Sequence, residues 1–312
     1  MKFSNIIPAN FKINFVGKRK IFFFIAIVIT ITAIVALFIR GLNYGLDFRG
    51  GTTLDIKIID KQLTISGIRQ KLSDAEVEGA SIQTIDSDDN ILIKIPSNDK
   101  ALGIIKNVLK DQVEYRSTEQ VGPRIGEEMM YNAIKAIIAA LIAILIYIWV
   151  RFEWYFAVCG VVTLLHDCIA LLGFFAVYHT LEFSSNAIVA ILVTASYSIH
   201  GTVIVFDRIR ERMKHTLAIN TTDTVSFSEI VNASMNETLS RNILTTTTVL
   251  ISLVSLFVFG GQIIAAFSLP LIIGICFGGF SSICLAVPLV LSIAPKDILQ
   301  KQKQKTTTNN SP

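Results

Sequence analysis

Three side chains that can exchange or steer a proton lie in or beside long apolar runs of this sequence. Asp167 follows His166 inside one run, and His200 lies inside another. A carboxylate near the centre of a bilayer costs roughly 2.5–3.5 kcal/mol, and an imidazole that water reaches exchanges protons near neutral pH. Arg241 stands one turn before the threonines 245–248, whose hydroxyls could line a polar path. These residue types predict proton coupling or gating within a membrane.

Each of the three residues also has a plainer interpretation. Asp167 can be a neutral carboxyl that is hydrogen-bonded within a helix bundle, because buried polar groups need partners. His200 can be a packed histidine. Arg241 can be an interfacial arginine whose long side chain reaches from an apolar helix towards water. The sequence alone leaves both interpretations open for all three.

The composition indicates a membrane protein that crosses the bilayer several times. The chain has 312 residues, of which 52% are hydrophobic and 17% are charged, whereas soluble domains carry about 25% charged residues. The four cysteines all lie in apolar runs without the CxxC spacing of metal sites, so we expect small buried side chains, no disulfide, no metal and no cofactor. They are Cys159, Cys168, Cys276 and Cys284.

Six apolar runs are long enough to predict transmembrane helices, which take roughly 20 residues each. The first follows a basic segment and has no small-residue cleavage site behind it, so we expect an uncleaved span. The last is too long for one straight span and contains Pro270 and Pro288, which predicts tilting or a kink. The runs cover residues 21–39, 133–150, 155–178, 186–206, 243–259 and 263–293.

Lys and Arg alternate between the connections of these runs. They precede the first run, occur between the second and third and between the fourth and fifth, and follow the sixth, whereas residues 179–185 and 260–262 contain none. The positive-inside rule then predicts that both termini are cytoplasmic. The predicted parts are a cytoplasmic N-terminus (1–20), a first span (21–39), a periplasmic domain (40–131), a five-helix bundle (132–294) with a cytoplasmic loop (207–241), and a cytoplasmic tail (295–312).

The polar region after the first run predicts a small α+β domain. Residues 53–59 alternate between apolar and polar side chains, and residues 80–85, 91–95 and 113–119 also favour strands. The turn 86–90 joins two of them, and Ser97 can cap a helix that follows. With helical spacing near 65–72 and 101–109, the order is β-α-β-β-α-β, typical of a ferredoxin-like fold. We find no nucleophile, paired acid or metal cluster in it, which favours a binding or mechanical head over an enzyme.

Two polar segments border the membrane. Gly45, Asp47, Gly50 and Gly51 mark an abrupt change from membrane helix to strand, where glycine permits unusual backbone angles, and we interpret them as a neck. After the fourth run, Asp207, Arg208 and Glu211 predict a solvated interfacial network. Residues 216–240 favour either a short amphipathic helix under the membrane or a plain connector.

Four motifs together resemble the SecF family of the bacterial protein-export machinery. GLNYGLDFRGG at 41–51 is similar to the family's GLNxGxDFxGG, and VGPRIGEE at 121–128 to its VGPxxGEE. YSIHGTVIVFDRIRE at 197–211 resembles the pattern GYSxNDTVVVFDRIRE, and NETLSRN at 236–242 resembles NQTLSRT. The motifs occur in the family's order along nearly the whole chain.

This resemblance implies half of a resistance-nodulation-division type bundle in the bacterial inner membrane, paired with a SecD half. It also implies work with the SecYEG channel on a translocating precursor polypeptide, driven by the proton motive force without ATP and without nucleic acid. The sequence has no GxxxxGK[ST] phosphate-binding loop. The family carries an HD pair like His166 and Asp167, and its arginine at the position of Arg241 is implicated in proton coupling.

One departure from the family pattern keeps other functions open. The family has Asn-Asp before a threonine where this chain has His200-Gly201 before Thr202, so its membrane-embedded acid is missing here. Ser196 also replaces a glycine of the pattern. A subunit that assembles the complex without conducting protons is therefore an alternative. A proton-coupled exporter of small molecules or lipids is a third.

Overall fold

Long apolar helices carry a small sheet domain at one end of the molecule. The computed structural model describes residues 13–60, 63–75, 77, 79–84, 90–96, 99–110, 112–219 and 225–295. The elements are α1 (Arg19–Arg40), α2 (Leu46–Arg49), β1 (Gly51–Ile58), α3 (Ile65–Asp74), β2 (Ser81–Thr84), β3 (Asn90–Pro96), α4 (Asp99–Val108), β4 (Val113–Val121), α5 (Pro123–Arg151), α6 (Trp154–Val177), α7 (Ser185–Ala218), α8 (Phe227–Phe259), α9 (Gly261–Cys284) and α10 (Ala286–Ile293).

The predicted fold class is confirmed. Within the described residues, six helical segments are long and apolar enough to cross a membrane, the sixth being α9 with α10. Between the first and second, four antiparallel strands lie in the order β2-β3-β1-β4, and the chain order is the predicted β-α-β-β-α-β. The predicted turn residues 86–89, the predicted cap Ser97, and residues 1–12 and 296–312 lie outside the described part of the chain.

The sheet domain, which we call the head (residues 51–121), has its own apolar core. Leu54 and Ile56 of the central strand β1 have no exposed surface, as the alternation of this strand predicted. Ile68 of α3 and Ile105 of α4 are equally buried and cover the same face of the sheet. Thr64 begins α3 by accepting a hydrogen bond from the Gly67 amide at 3.2 Å. Both helices therefore pack on one side of the sheet, and Lys94 on the other side pairs with Glu182 of the α6–α7 loop.

Small residues bring the membrane helices into close contact. A Cβ built on Gly274 of α9 would lie 1.9 Å from Thr194 Oγ1 of α7, and one on Gly278 would lie 3.3 Å from Ser198. Membrane helices gain little from hydrophobic burial against lipid, so they associate through such close packing. The spacing of four residues keeps both glycines on one face of α9. This face fixes how α7 and α9 cross.

The described part of residues 216–240 is neither the short amphipathic helix nor the plain connector that the sequence favoured. The structure continues α7 to Ala218 and starts α8 at Phe227, and α8 runs unbroken into the fifth span. Ser226 and Glu229 form a capping box, each bonding the other's backbone amide, which sets the start of α8. Since no proline or glycine follows before Gly260, nothing ends the helix at the membrane surface.

The kink predicted for the last apolar run occurs at Leu285, between α9 and α10. Pro288 has no N–H to donate to the Cys284 carbonyl, and its ring would clash with that carbonyl in a regular helix. Leu285 accordingly departs to φ −116° and ψ −52°. Pro270, by contrast, lies inside α9 without ending it.

We expect Gly173→Ala to destabilise the bundle. A Cβ at this position of α6 would lie 2.3 Å from the Cβ of Ala33 in α1, and such overpacking costs about 1–3 kcal/mol. The midpoint of thermal unfolding in detergent should fall. Gly103→Ala is the matched control, since Gly103 is exposed on α4 with no atom within 4 Å of its added Cβ, and alanine favours a helix by about 0.5–1 kcal/mol. An unchanged midpoint for Gly173→Ala would contradict the close α1–α6 contact.

Candidate functional site

A carboxylate without exposed surface lies in the middle of the bundle. Asp167 is 0% exposed, and its Oδ2 accepts hydrogen bonds from Ser198 Oγ at 2.5 Å and from Ser281 Oγ at 2.6 Å. Its Oδ1 lies 3.0 Å from His166 Nδ1. These residues come from α6, α7 and α9, so one side chain joins three membrane helices. The group of four residues, which we call the acid centre, contains Asp167, His166, Ser198 and Ser281.

The hydrogen bonds of the acid centre depend on where its protons lie. A charged carboxylate can only accept, so in that form Asp167 accepts from both serines. A proton on the carboxyl group would remove that charge and weaken the attraction of both serines. If His166 donates from Nδ1, its Nε2 is the position that takes up a further proton. Nε2 is buried and has no hydrogen-bond partner among the described residues.

The missing family acid falls next to this centre. Gly201 lies one turn after Ser198 on α7, and a Cβ built there would lie 2.9 Å from Ser282 Oγ of α9. Ser282 directly follows Ser281, a partner of Asp167. A side chain at position 201 would therefore contact Ser282 where α7 and α9 meet. Asp167 approaches the same α7–α9 contact from α6.

The structure does not bring the other two proposed proton-coupling residues into the acid centre. His200 and Arg241 both have exposed side chains, on α7 and α8. Neither makes a side-chain hydrogen bond or ion pair with another residue of the described ranges. Near them, Tyr197 Oη donates to Thr246 Oγ1 at 2.7 Å. They belong to the outer surface of this chain.

Sequence reasoning assigned no role to Ser198 or Ser281. The available signal was the segment GGFSS at 278–282, where two glycines precede two serines in an otherwise apolar run. Small residues of this kind mark helix contacts in membranes. The sequence could not indicate that Asp167 is the residue on which both hydroxyls converge.

The predicted interfacial residues divide into two clusters at the end of the bundle away from the head. Arg208 Nη1 donates to Glu211 at 2.6 Å, and Arg208 Nε donates to Glu237 of α8 at 2.6 Å. Asp207 does not join them, because it accepts from Arg151 Nη2 of α5 at 2.9 Å. Such exposed pairs contribute about 0–1 kcal/mol each. Their effect is to position the ends of α5, α7 and α8.

At the head end, the neck is fastened to the loop between α6 and α7. The amide of Gly45 donates to the Phe183 carbonyl at 2.9 Å, and the amide of Phe183 donates to the Asn43 carbonyl at 2.6 Å. The ring of Phe183 is buried against those of Phe48 and Phe175, with centroids 6.0 Å and 5.6 Å away. We call this pairing the neck clasp.

Asp47 extends the clasp to the start of α7. Its Oδ2 accepts a hydrogen bond from the amide of Ser185, the first residue of that helix, at 2.9 Å. Ser184 precedes the helix but makes no capping bond with its side chain. A carboxylate at a helix N-terminus satisfies an unpaired amide and interacts favourably with the helix dipole. Asp47 therefore caps a helix that lies 138 residues further along the chain.

Two glycines of the neck and one of α5 permit close backbone contacts. Gly50 has φ +78°, and a Cβ there would lie 2.9 Å from Pro123 of α5. A Cβ on Gly51 would lie 2.4 Å from the Ile95 carbonyl oxygen, and one on Gly126 would lie 2.7 Å from the Phe48 carbonyl oxygen. The motifs at 41–51 and 121–128 thus pack directly on each other.

Comparison with known proteins identifies relatives along almost the whole chain. Residues 102–296 match the family described as protein export membrane protein SecD/SecF, C-terminal, and residues 35–58 match the SecD/SecF GG motif. The chain is 35% identical to the protein translocase subunit SecF of Calditerrivibrio nitroreducens over 94% of its own length and 97% of the relative's. It is also 35% identical to that of Haemophilus influenzae, over 90% and 86% of the two chains.

Two solved structures share the fold. The crystal structure of SecDF, a translocon-associated membrane protein from Thermus thermophilus, matches with a TM-score of 0.78 and 29% identity over 92% of this chain. SecDF in a super-membrane-facing form matches with a TM-score of 0.68 and 28% identity. This chain spans about two fifths of either SecDF chain, at 39% and 40%.

We expect Asp47→Ala to loosen the start of α7. Loss of an N-terminal cap costs about 0.5–2 kcal/mol, so the amides near Ser185 should exchange with deuterium about fivefold faster. Mass spectrometry of peptides covering residues 183–190, with the protein in nanodiscs, measures this rate. Asp74→Ala is the matched control, because Asp74 is exposed at the end of α3. Unchanged exchange in Asp47→Ala would show that Asp47 does not cap α7.

Proposed function

Because this chain belongs to the SecD/SecF family of protein-export membrane proteins, we propose that it is a SecF-type subunit of Sec-dependent export. In this proposal it pairs with SecD, works beside the SecYEG channel, and uses the proton motive force to draw a translocating precursor polypeptide outward. The observation that carries the proposal is the acid centre, a carboxylate shared by three membrane helices and connected through α7 to the head.

The charge distribution supports an external head. Lys94 of the head pairs with Glu182 of the α6–α7 loop at 2.7 Å, and Gln262 at the start of α9 donates to Thr84 of the head at 3.2 Å. Both of these loops lack Lys and Arg. The arginine clusters lie at the opposite end of α5, about 42 Å from the head by helix rise. The positive-inside rule places that end in the cytoplasm.

Proton transfer at the acid centre would change how α6, α7 and α9 pack. With Asp167 charged, Ser198 and Ser281 both donate to it, and with Asp167 neutral these bonds weaken. One charge crossing 100 mV releases about 2.3 kcal/mol, which is enough to shift a two-state equilibrium by more than tenfold. Ser198 lies about 20 Å along α7 from Ser185, whose amide Asp47 holds. A shift of α7 would therefore reach the neck directly.

We assign Arg241 and His200 to the surface that SecD covers. An arginine on a lipid-facing helix surface is costly unless it reaches water or a partner. Arg241 shares one exposed face of α8 with Thr245, Thr248 and Ser252, at intervals of three or four residues. A polar stripe of this length within an apolar helix fits contact with another protein chain better than contact with lipid.

One observation favours the second candidate, an assembly subunit that conducts no protons. Gly201 stands where the family pattern has its acid, and α9 approaches so closely there that a side chain would contact Ser282. In this alternative Asp167 holds the three helices together, and SecD alone exchanges protons.

We expect Asp167→Asn to reduce proton-driven export at least tenfold, because an amide keeps the size of the side chain but cannot take up the proton. Release of a precursor across the membrane is measured in vesicles that contain SecD and SecYEG, with and without an uncoupler. Arg241→Ala and His200→Ala are tested beside it, and Asp74→Asn in the head is the control. Copurification with SecD reports assembly. If all three membrane variants assemble and retain uncoupler-sensitive release, the coupling role is wrong and the assembly function remains.

A further inference from the structure

The segment before α1 lies along the first turns of α8. The Asn236 side chain of α8 bonds both backbone groups of Ile13, its Oδ1 accepting from the amide at 2.8 Å and its Nδ2 donating to the carbonyl at 3.0 Å. One turn earlier, Asn232 Oδ1 accepts from the Phe15 amide at 2.9 Å. The two asparagine side chains thus bind backbone N–H and C=O groups of this segment, as the backbone of a neighbouring β-strand does in a sheet.

The spacing of the two asparagines suits an extended chain. Four residues of helix rise about 6 Å, and two residues of an extended chain span about 6.6 Å. Asn232 and Asn236 are four apart, and the residues they bind, Phe15 and Ile13, are two apart in the opposite direction. Asn236 Nδ2 also donates to the Asn232 carbonyl at 2.7 Å. All polar atoms of that amide are therefore engaged, and its orientation is fixed.

The ring of Phe15 anchors the segment. It is only 5% exposed and packs against Phe22 of α1 with centroids 6.2 Å apart. Ile13 is partly buried and packs against the apolar core of the bundle, to which Phe15 also belongs. The amide of Lys18 donates to the Phe15 carbonyl at 3.1 Å, which turns the chain from the segment into α1. Backbone bonds set the register here, and Phe15 and Ile13 supply the apolar contact.

We propose that Asn232 and Asn236 form a docking surface for an extended main chain, and that its occupant is residues 13–15 of this chain, which we call the strap. The strap fastens the start of α1 to α8 five residues before Arg241. As a result, α1 and the first turns of α8 move together. This assignment is separate from the proposed export function, because it concerns contacts within the chain and requires neither SecD nor a proton.

Hydrogen exchange of the full chain in nanodiscs, read at single residues by electron-transfer fragmentation, tests the strap. Two variants should speed exchange of the Ile13 and Phe15 amides at least tenfold. One is the double variant Asn232→Ala/Asn236→Ala, and the other is the single variant Phe15→Ala. Amides within 249–253 of α8 should keep their rates, which reports that the bundle has folded. Asn14→Ala is the matched control within the segment. It removes only the acceptor of the Gly17 amide at 2.8 Å, so exchange should rise at Gly17 and not at Ile13.

Asn236→Asp separates the strap from a general loss of structure. An aspartate keeps the oxygen that accepts from the Ile13 amide but loses the Nδ2 donor to its carbonyl. Its second oxygen would face the carbonyl oxygens of Ile13 and Asn232, which repel it. We therefore expect the Ile13 amide to exchange at least fivefold faster than in the native chain, although the side chain keeps its size. Equal exchange at Ile13 in the native chain and in the double alanine variant would overturn the proposal. The proposal would also be overturned if the Ile13 amide lost as much protection in Asn14→Ala as in the double alanine variant.

Discussion

A carboxylate with no exposed surface needs protein donors, and Asp167 finds them only if three membrane helices meet at one point. Ser198 and Ser281 reach it from α7 and α9 with bonds of 2.5 and 2.6 Å. This requires α7 and α9 to lie closer than large side chains allow, which the glycines at 274 and 278 permit. Removing one partner of a buried charge leaves the other uncompensated. The acid and the small residues therefore depend on each other, and together they determine the packing of the bundle.

The same constraint connects the bundle to the head. The first amide of α7 is bound by Asp47, and the neck pairs with the loop before α7 through Phe183. The neck glycines, which the sequence marked as an abrupt change from membrane helix to strand, permit tight contacts with Pro123 and the Ile95 carbonyl oxygen. A rearrangement at the start of α7 would therefore act on the neck through these bonds. In the proposed export cycle, flexibility would then lie between helices of the bundle and not within the neck.

The sequence predicted the features that depend on pattern along one segment. Six apolar runs and alternating strands were sufficient for the spans and the head topology, because span length and strand alternation are local properties. It did not predict which side chains meet across helices, such as Ser281 with Asp167 or Phe183 with the neck. Those contacts depend on how each helix is rotated about its own axis relative to its neighbours. A helix that is apolar on all of its faces does not specify that rotation. The same limitation explains Asp207: the sequence grouped it with Arg208, whereas adjacent helix positions point about 100° apart and it pairs with Arg151.

Contacts at both ends of α1 and close packing against α6 between them fix the position of this helix. Only Ala26 and Ala33 of its 22 residues are buried, so most of its apolar side chains face lipid. At Ala33 the helix lies close against Gly173 of α6. At the head end, Arg40 donates to the Val177 carbonyl at 3.1 Å and the neck clasp follows. At the other end, the proposed strap attaches the helix to α8. A helix that is fastened at both ends and packed against α6 between them can transmit displacement along its axis. In this arrangement, α1 connects the helix that bears Arg241 with the neck that caps α7.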